Sequence, residues 1–250
     1  MKRKLLAFGD SHTSGAEIDE KWSGSCYENA YPAHIANYHN WDYENYAQCG
    51  GSNDWLIKKF IERIQKALIE KEKVFVLCNI AEPSRTYIQL SAKNIRHCTS
   101  SCLDPNVQIE MSMDSQYTKR YARYLRCHTE EELNFKSLSH IFTIQTICKA
   151  NKIPYLFHLS NCWIPGDWSL IDKNNFFGHH KTNKLNYNQR QSYFMQRNYS
   201  YWGVAQHHPD WKHLQKEERW SMHYPESFHE FWAKILLKFI HEQSILDISP

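Results

Sequence analysis

Short runs of apolar residues alternate along the chain with longer segments in which apolar positions recur every three or four residues. The short runs have the length and composition of buried β-strands. They span residues 4–8, 73–80 and 153–159. The longer segments have the spacing of amphipathic helices that bury one face. They span residues 54–71, 130–151 and 226–243. This strict alternation of strand and helix predicts a three-layer α/β fold, in which helices cover both faces of a doubly wound parallel sheet.

Two long segments interrupt the alternation, at roughly 86–129 and 160–222. They are rich in Asn, Gln, His, Tyr and Trp and have no clear period. Segments of this length inside a compact domain are usually functional loops or small insertions with short elements of their own. No linker rich in Pro, Gly or Ser separates them from the rest, so the sequence predicts a single domain over residues 1–250.

The charge and the hydropathy of the chain argue against nucleic-acid and membrane partners. The chain has 30 basic and 27 acidic residues, a net charge of +3, and no long run of Lys or Arg. This balance predicts neither a nucleic-acid nor a membrane-surface partner. The apolar runs are far shorter than the roughly 20 residues needed to span a bilayer. The run at 5–8 is also too short for a signal peptide, so we expect a cytoplasmic protein.

The cysteines and histidines do not form a recognisable metal pattern. The eight cysteines are irregularly spaced, with no CxxC pair. The nearest approach to a zinc motif is a set of five residues: His97, Cys98, Cys102, Cys127 and His128. Thiolates and imidazoles are good zinc ligands, but this spacing is a loose match to known sites. We therefore predict no metal, and metal-dependent hydrolysis is the least favoured function.

A Gly-Asp-Ser turn directly follows the first predicted strand. The segment 8–15 reads FGDSHTSG and places Ser11 on this turn. The carboxyl ends of parallel strands are where open α/β sheets bind ligands. A serine there can direct both its hydroxyl and its backbone N–H toward a substrate. The alternative is an ordinary turn that uses Gly, Asp and Ser for their backbone preferences.

Two further polar motifs precede predicted helices. Residues 45–53 contain Gly50 and Gly51, whose backbone can approach a ligand closely and direct N–H groups at an oxyanion. Residues 223–233 begin with His223 and lead into the last helix, with a proline placed at the helix start. His223 can therefore project toward the carboxyl edge of the sheet.

In their joint order these motifs resemble the SGNH, or GDSL-type, hydrolase family. Residues 9–11 (Gly-Asp-Ser) match the first block of that family, 45–50 (NYAQCG) match the second, and 223–233 match the last. The stretch 79–85 (NIAEPSR) resembles the third block of phage-encoded variants. The resemblance implies a flavodoxin-like fold and a serine-dependent ester hydrolase that needs no cofactor.

The resemblance also assigns roles. Ser11 would be the nucleophile, and His223 the general base that takes its proton, because a serine hydroxyl is a weak nucleophile unaided. The oxyanion hole would consist of backbone N–H groups and one side-chain amide, namely those of Ser11, Gly50, Gly51 and Asn79, with Asn53 as the alternative amide.

The chain departs from the family beside the histidine. The family places an orienting Asp three residues before it, and here that position is Trp220. Asp210, Glu217 and Glu218 are nearby carboxylates that could take over. Asp210 also stands three residues before His213, which makes His213 a rival base.

Two functions from different classes follow. The first is an esterase or carbohydrate O-deacylase acting on a small-molecule or carbohydrate ester. The second is a catalytically silent SGNH-like binding or structural module, such as a virion component.

Overall fold

The computed structural model describes residues 2–16, 18, 26–91, 94–99, 115–161, 163–182, 184–196, 199–208 and 223–247. Its strands are β1 (Lys4–Phe8), β2 (Asp42–Asn45), β3 (Val74–Ile80), β4 (Thr86–Ser91), β5 (Asn94–Cys98) and β6 (Tyr155–Leu159). Its helices are α1 (Ser11–Ser14), α2 (Tyr31–Tyr38), α3 (Asn53–Ile69), α4 (Ser115–Cys127), α5 (Glu130–Ala150), α6 (Tyr187–Gln196), α7 (Tyr201–Gln206) and α8 (Glu226–Glu242). None of the helices in these ranges combines the length and the apolar character that crossing a bilayer requires.

Four strands form one parallel sheet in the order β2-β1-β3-β6. Beyond β6, single parallel bridges join Phe157 to Phe176 and Leu159 to Ser200, so the chain runs beside this edge without forming a regular strand. The order reverses between β1 and β3, which is the switch point of flavodoxin-like sheets. The predicted three-layer, doubly wound fold is confirmed.

The alternation of side chains along the strands separates two cores. Leu6 and Phe8 of β1 face the layer of α3 and α5, whereas Leu5 and Ala7 face the layer of α2 and α8. The same alternation runs through β3 and β6. Because both faces are covered, these strands are buried throughout and appear as continuous apolar runs in the sequence.

Two framework elements were not predicted. The edge strand β2 has the sequence DYEN and is only partly buried, so it has no apolar run to reveal it. Helix α2 is short and packs against α8, and its buried face includes Tyr31 and Ile35. Its sequence has a weak helical period, which explains why pattern alone missed it.

Helix α3 departs from an ideal amphipathic helix, because it exposes apolar residues and buries one charged residue. Ser52 caps it by accepting a hydrogen bond from the Trp55 N–H. Ile69 is 81% exposed, whereas Arg63 in the middle of the helix is buried. The Arg63 guanidinium lies within 2.6 Å of carboxylate oxygens of both Glu44 and Glu72. A charge buried in this way is tolerated because two carboxylates pair with it.

The two long insertions have elements of their own. The first contains the antiparallel hairpin β4–β5 and helix α4, which packs on the hairpin through the buried side chain of Tyr121. The second contains α6, α7 and two 3₁₀ turns (Lys173–Asn175 and His179–Lys181). Their side chains extend both cores, since Phe194 belongs to one and Tyr201 to the other.

Candidate active site

Ser11 stands at the first position of α1, directly beyond the carboxyl end of β1. Asp10 caps this short helix, and Gly15 ends it with a positive φ of 67°. A side chain at Gly9 would collide with Thr13, so the tight turn requires glycine there. The peptide N–H of Ser11 has no partner among the backbone hydrogen bonds of the described residues. The turn therefore presents the serine as the sequence predicts.

The carboxylate of Asp10 is fully buried and lies at the centre of a hydrogen-bond network. Its Oδ1 accepts hydrogen bonds from the peptide N–H of His12 (3.1 Å) and from the amide of Asn79 (2.9 Å). Its Oδ2 accepts from Nη1 of Arg85 (3.0 Å) and from the hydroxyl of Ser160 (2.7 Å). This one side chain therefore connects the segments that follow β1, β3 and β6.

These donors determine the charge state of the carboxylate. Burial raises the pKa of Asp10, because the charged form loses its hydration. The guanidinium of Arg85 and hydrogen bonds from Ser160 and the His12 N–H act in the opposite direction. The pKa consequently lies below that of an ordinary aspartate. Asp10 is an anion at neutral pH.

The glycine motif lies against the serine turn. A Cβ on Gly51 would come within 2.7 Å of the backbone oxygen of Gly9, so glycine permits this close approach. The N–H of Gly51, however, donates to the oxygen of Gln48 at 2.7 Å and is therefore occupied by a turn. Gly50 has a positive φ of 69°, and its N–H makes no backbone hydrogen bond within the described residues. Of the two glycines predicted as oxyanion donors, Gly50 is therefore the one whose N–H no described backbone group engages.

The candidate amides have structural partners. Asn79 is fully buried, and its amide nitrogen donates to Asp10 instead of facing a cleft. The side chain of Asn53 donates from Nδ2 to the Ala81 oxygen and accepts at Oδ1 from the Ala81 N–H. Its Nδ2 also donates to the hydroxyl of Ser137. The predicted oxyanion role of Asn79, and the alternative role of Asn53, thus compete with hydrogen bonds that hold the site together.

His223 lies at the same end of the molecule as the serine turn. Its ring centroid is 5.3 Å from that of His12, the residue that follows Ser11. His12 also packs on Tyr201 at 4.5 Å. The two predicted catalytic segments, from opposite ends of the chain, are thus brought together. Within the described residues, no hydrogen bond joins the Ser11 hydroxyl to His223.

Behind His12, buried tyrosines and histidines form a neutral network. Nδ1 of His158 faces the Leu159 carbonyl, so Nε2 is left to accept a hydrogen bond from the Tyr31 hydroxyl at 2.7 Å. The Tyr31 oxygen in turn accepts from Thr13 at 2.9 Å.

The second half of this network involves α8. Nδ1 of His229 accepts from the Tyr31 N–H at 3.1 Å, so Nε2 carries the proton and donates to the Tyr201 hydroxyl at 3.0 Å. A protonated His229 could not accept that backbone bond. The geometry therefore requires the neutral ring.

Burial keeps these imidazoles uncharged. It lowers the pKa of His12 to about 3, although the Asp10 carboxylate opposes the shift, and it lowers that of His158 to about 4. The pKa of His229 is likewise well below its ordinary value, chiefly through burial. The site therefore combines a buried anion beneath the serine with a layer of neutral rings beside it.

Several predicted residues fall outside the described ranges. These are Asp210, Glu217, Glu218, His213 and Trp220, together with Cys102 of the loose metal pattern. The described members of that pattern do not form a set of three within metal-ligand distance of one another. His97 instead packs edge-on against Trp55 with ring centroids 5.0 Å apart.

Sequence reasoning missed Arg85 and Ser160 as partners of Asp10. Arg85 lies in the third block, two residues after a proline that ends the strand segment, and an arginine there could have indicated a buried carboxylate partner. Ser160 directly follows β6, which is the position where a polar residue reaches the carboxyl edge of the sheet.

A groove of about 790 Å³ lies on the outer face of α5 and contains none of these site residues. Its walls include exposed apolar side chains, among them Phe135, Phe142 and Leu170. Its chemistry is that of an apolar surface depression. The titratable cluster around Ser11 remains the candidate site.

No protein-family model matches the chain, and no curated protein matches it significantly. Several solved structures resemble it. A protein assigned to the lipolytic G-D-S-L family, from Desulfitobacterium hafniense DCB-2, is 14% identical with a TM-score of 0.43, over 94% of this chain and 98% of that one. An acylhydrolase from Bacteroides fragilis NCTC 9343 is 12% identical with a TM-score of 0.43, over 96% and 86%.

An acetyl xylan esterase from the rumen bacterium Butyrivibrio proteoclasticus is 13% identical with a TM-score of 0.46, over 96% of this chain and 64% of the esterase. Solved structures similar to the chain thus include members of the family that its motifs resemble. The likeness is too remote to transfer an activity, so the function has to be inferred from the site itself.

The buried neutral histidines predict a loss of stability in mild acid. Their folded pKa values lie below the roughly 6.5 of an unfolded histidine. The unfolded chain therefore binds protons first as the pH falls, and the free energy of unfolding decreases. Each such histidine contributes a slope of about 1.4 kcal/mol per pH unit between about pH 6 and pH 5. Urea unfolding across this interval measures the slope.

His158→Gln removes one titrating group, so we expect a shallower slope in this variant. His128→Gln changes an exposed histidine and serves as the control, with the slope of the original protein. A stability that stays constant from about pH 6.5 to 5 would contradict the neutral network.

Proposed function

We propose that this protein is a serine-dependent ester hydrolase, with Ser11 as the nucleophile and His223 as the general base. The observation that carries the proposal is the convergence of the two segments. The turn holding Ser11 follows β1, the histidine precedes α8, and the rings of His12 and His223 lie 5.3 Å apart. Catalytic hydrogen bonds often form only when substrate binds, so the unbonded Ser11 hydroxyl fits this role.

In the proposed reaction, the Ser11 hydroxyl attacks the carbonyl carbon of the ester while its proton passes to the imidazole of His223. The imidazolium returns that proton to the departing alcohol, which leaves an acyl-serine. Water then attacks the acyl carbon and gives a proton to the imidazole. The bond between the acyl carbon and the Ser11 oxygen breaks, the imidazolium returns its proton to that oxygen, and the acid is released. A positioned base of this kind typically contributes 10²–10⁴-fold to the rate.

The negative oxygen of the tetrahedral intermediate needs preorganised donors. Among the predicted donors, the N–H groups of Ser11 and Gly50 make no backbone hydrogen bond with the described residues. One such donor is worth about 2.7–4 kcal/mol of transition-state stabilisation. A side-chain amide completes the hole in the family that the chain resembles. Asn79 could contribute only its second amide hydrogen, since the first is donated to Asp10.

The proposed mechanism also needs a carboxylate that orients the imidazole of His223. Asp210, Glu217 and Glu218 are the carboxylates assigned to this role from the sequence. His213 is the rival base. The substrate class is an O-acylated carbohydrate or a small ester. The reaction as written requires no metal or organic cofactor.

A catalytically silent binding module is the second candidate. The absence of a hydrogen bond between the Ser11 hydroxyl and His223 within the described residues favours it. So does Trp220 at the position of the orienting acid. Such a module would bind a related ligand without turning it over, for example as part of a virion.

Ser11→Ala separates the two candidates. We expect a fluorophosphonate probe to label the original protein and p-nitrophenyl acetate to be hydrolysed by it. Both signals should disappear in the variant, because the attacking oxygen is gone. Ser139→Ala, which removes a hydroxyl on the exposed face of α5, is the control and should retain both. Absence of labelling and turnover in the original protein would establish the silent module instead.

His223→Gln and His213→Gln identify the base. Replacing the base should lower kcat by about 10²–10⁴-fold, because the serine then has no proton acceptor. We expect this loss in the His223 variant and near-original kcat in the His213 variant, with steady-state kinetics on p-nitrophenyl acetate as the measurement. The reverse pattern would transfer the role of base to His213.

A further inference from the structure

Three metal-ligating side chains meet where α2 packs against the beginning of α8. They are His34 of α2 and two glutamates of α8, Glu226 and Glu230. One ligand atom from each lies within 4.8 Å of the others. The glutamates are one helical turn apart and therefore project from the same face of α8. The cluster belongs to neither the serine turn nor the neutral histidine network.

A backbone carbonyl holds one ring nitrogen of His34. Its Nε2 lies 3.2 Å from the backbone oxygen of Asn29. A carbonyl oxygen only accepts, so Nε2 must carry the proton, and the lone pair of the neutral ring is on Nδ1. Metal-binding histidines are commonly fixed in this way, with the other ring N–H donated to a carbonyl.

The two carboxylates lack a cationic partner. Like charges four residues apart on a helix repel each other. Neither Glu226 nor Glu230 forms an ion pair or a side-chain hydrogen bond within the described residues, although other glutamates of the chain do. A cation between them would relieve this repulsion, and no lysine or arginine of the described residues occupies that place.

We propose that His34, Glu226 and Glu230 bind a divalent transition-metal ion, with Zn²⁺ as the best match. One imidazole and two carboxylates, completed by water, is a set of ligands that zinc accepts, whereas Ca²⁺ and Mg²⁺ prefer oxygen alone. Zinc bonds of about 2.0 Å place neighbouring ligands about 3.3 Å apart. Rotation of the long glutamate side chains closes the remaining distance.

The site would join α2 to the first turns of α8. The same helix pair is linked from within by the hydrogen bond between His229 and the Tyr31 N–H. The metal would therefore stabilise the helix start that follows His223 directly. Its existence does not depend on the proposed hydrolase, since the ligands lie on the two helices and not on the serine turn.

The test is Zn²⁺ titration by calorimetry of the full chain after chelator treatment, under reducing conditions. The exposed thiols of the described residues are removed first with Cys49→Ser and Cys127→Ser, because thiolates also bind zinc. We expect one saturable site, with at least tenfold weaker affinity in His34→Gln and in Glu230→Gln. Glu242→Gln, an exposed change in the last turn of α8, should bind as the parent does.

Thermal unfolding gives an independent readout. We expect Zn²⁺ to raise the Tm of the parent by a few degrees and Mg²⁺ to leave it unchanged, since a ligand bound only by the folded state stabilises that state. The shift should disappear in Glu230→Gln. The proposal is overturned if the parent binds no Zn²⁺ at 100 µM, or if both ligand variants bind it with unchanged affinity.

Discussion

A carboxylate removed from water is stable only when donors replace its hydration, and Asp10 shows how fully this fold meets that condition. The side chain is completely buried and accepts four hydrogen bonds, from the backbone of His12 and the side chains of Asn79, Arg85 and Ser160. The donors lie within the last residues of a strand or beyond its carboxyl end, and they belong to three different strands. Because each donor is also held by Asp10, the carboxyl ends of these strands cannot shift independently.

The Asp10 carboxylate and the neutral histidines occupy two different parts of the site. Beneath the serine turn, charge is buried and paired. Beside the turn, the rings of His12, His158 and His229 are neutral, because burial opposes their protonation. Ser11 lies between these two parts, and its N–H makes no backbone hydrogen bond in the part of the chain that the structure describes. The proposed reaction would use this preorganisation, since donors that need not move cost no reorganisation when the oxyanion forms.

The framework could be predicted from the sequence because burial dictates its pattern. The central strands carry continuous apolar runs, and α3, α5 and α8 carry helical periods, so all six elements lie within a few residues of their predicted bounds. The edge strand β2 was missed, because a half-buried strand needs no apolar run. The position of Ser11 followed from the turn after β1. The partners of Asp10 did not, since no local pattern shows that Arg85 and Ser160 reach the same carboxylate.

The predicted roles of the amides illustrate the same limit. An asparagine near the carboxyl edge of the sheet is compatible with an oxyanion donor and with a structural clamp, and only the three-dimensional contacts distinguish these two roles. Asn79 donates to Asp10, and Asn53 holds the backbone of Ala81. Residue type and spacing could identify the edge of the sheet on which these side chains lie. They could not determine which neighbour each one contacts.

The most direct measurement of the central claim is a double-mutant cycle on the free energy of unfolding with Asp10→Asn and Arg85→Gln. If the buried pair of Asp10 and Arg85 holds the ends of the strands, each single substitution should lower the free energy of unfolding by about 3–5 kcal/mol, because it leaves the other charge or its hydrogen bonds uncompensated. The double variant should then be less destabilised than the sum of the two, with a coupling of about 2 kcal/mol or more. Additive effects, with a coupling below about 0.5 kcal/mol, would contradict the account.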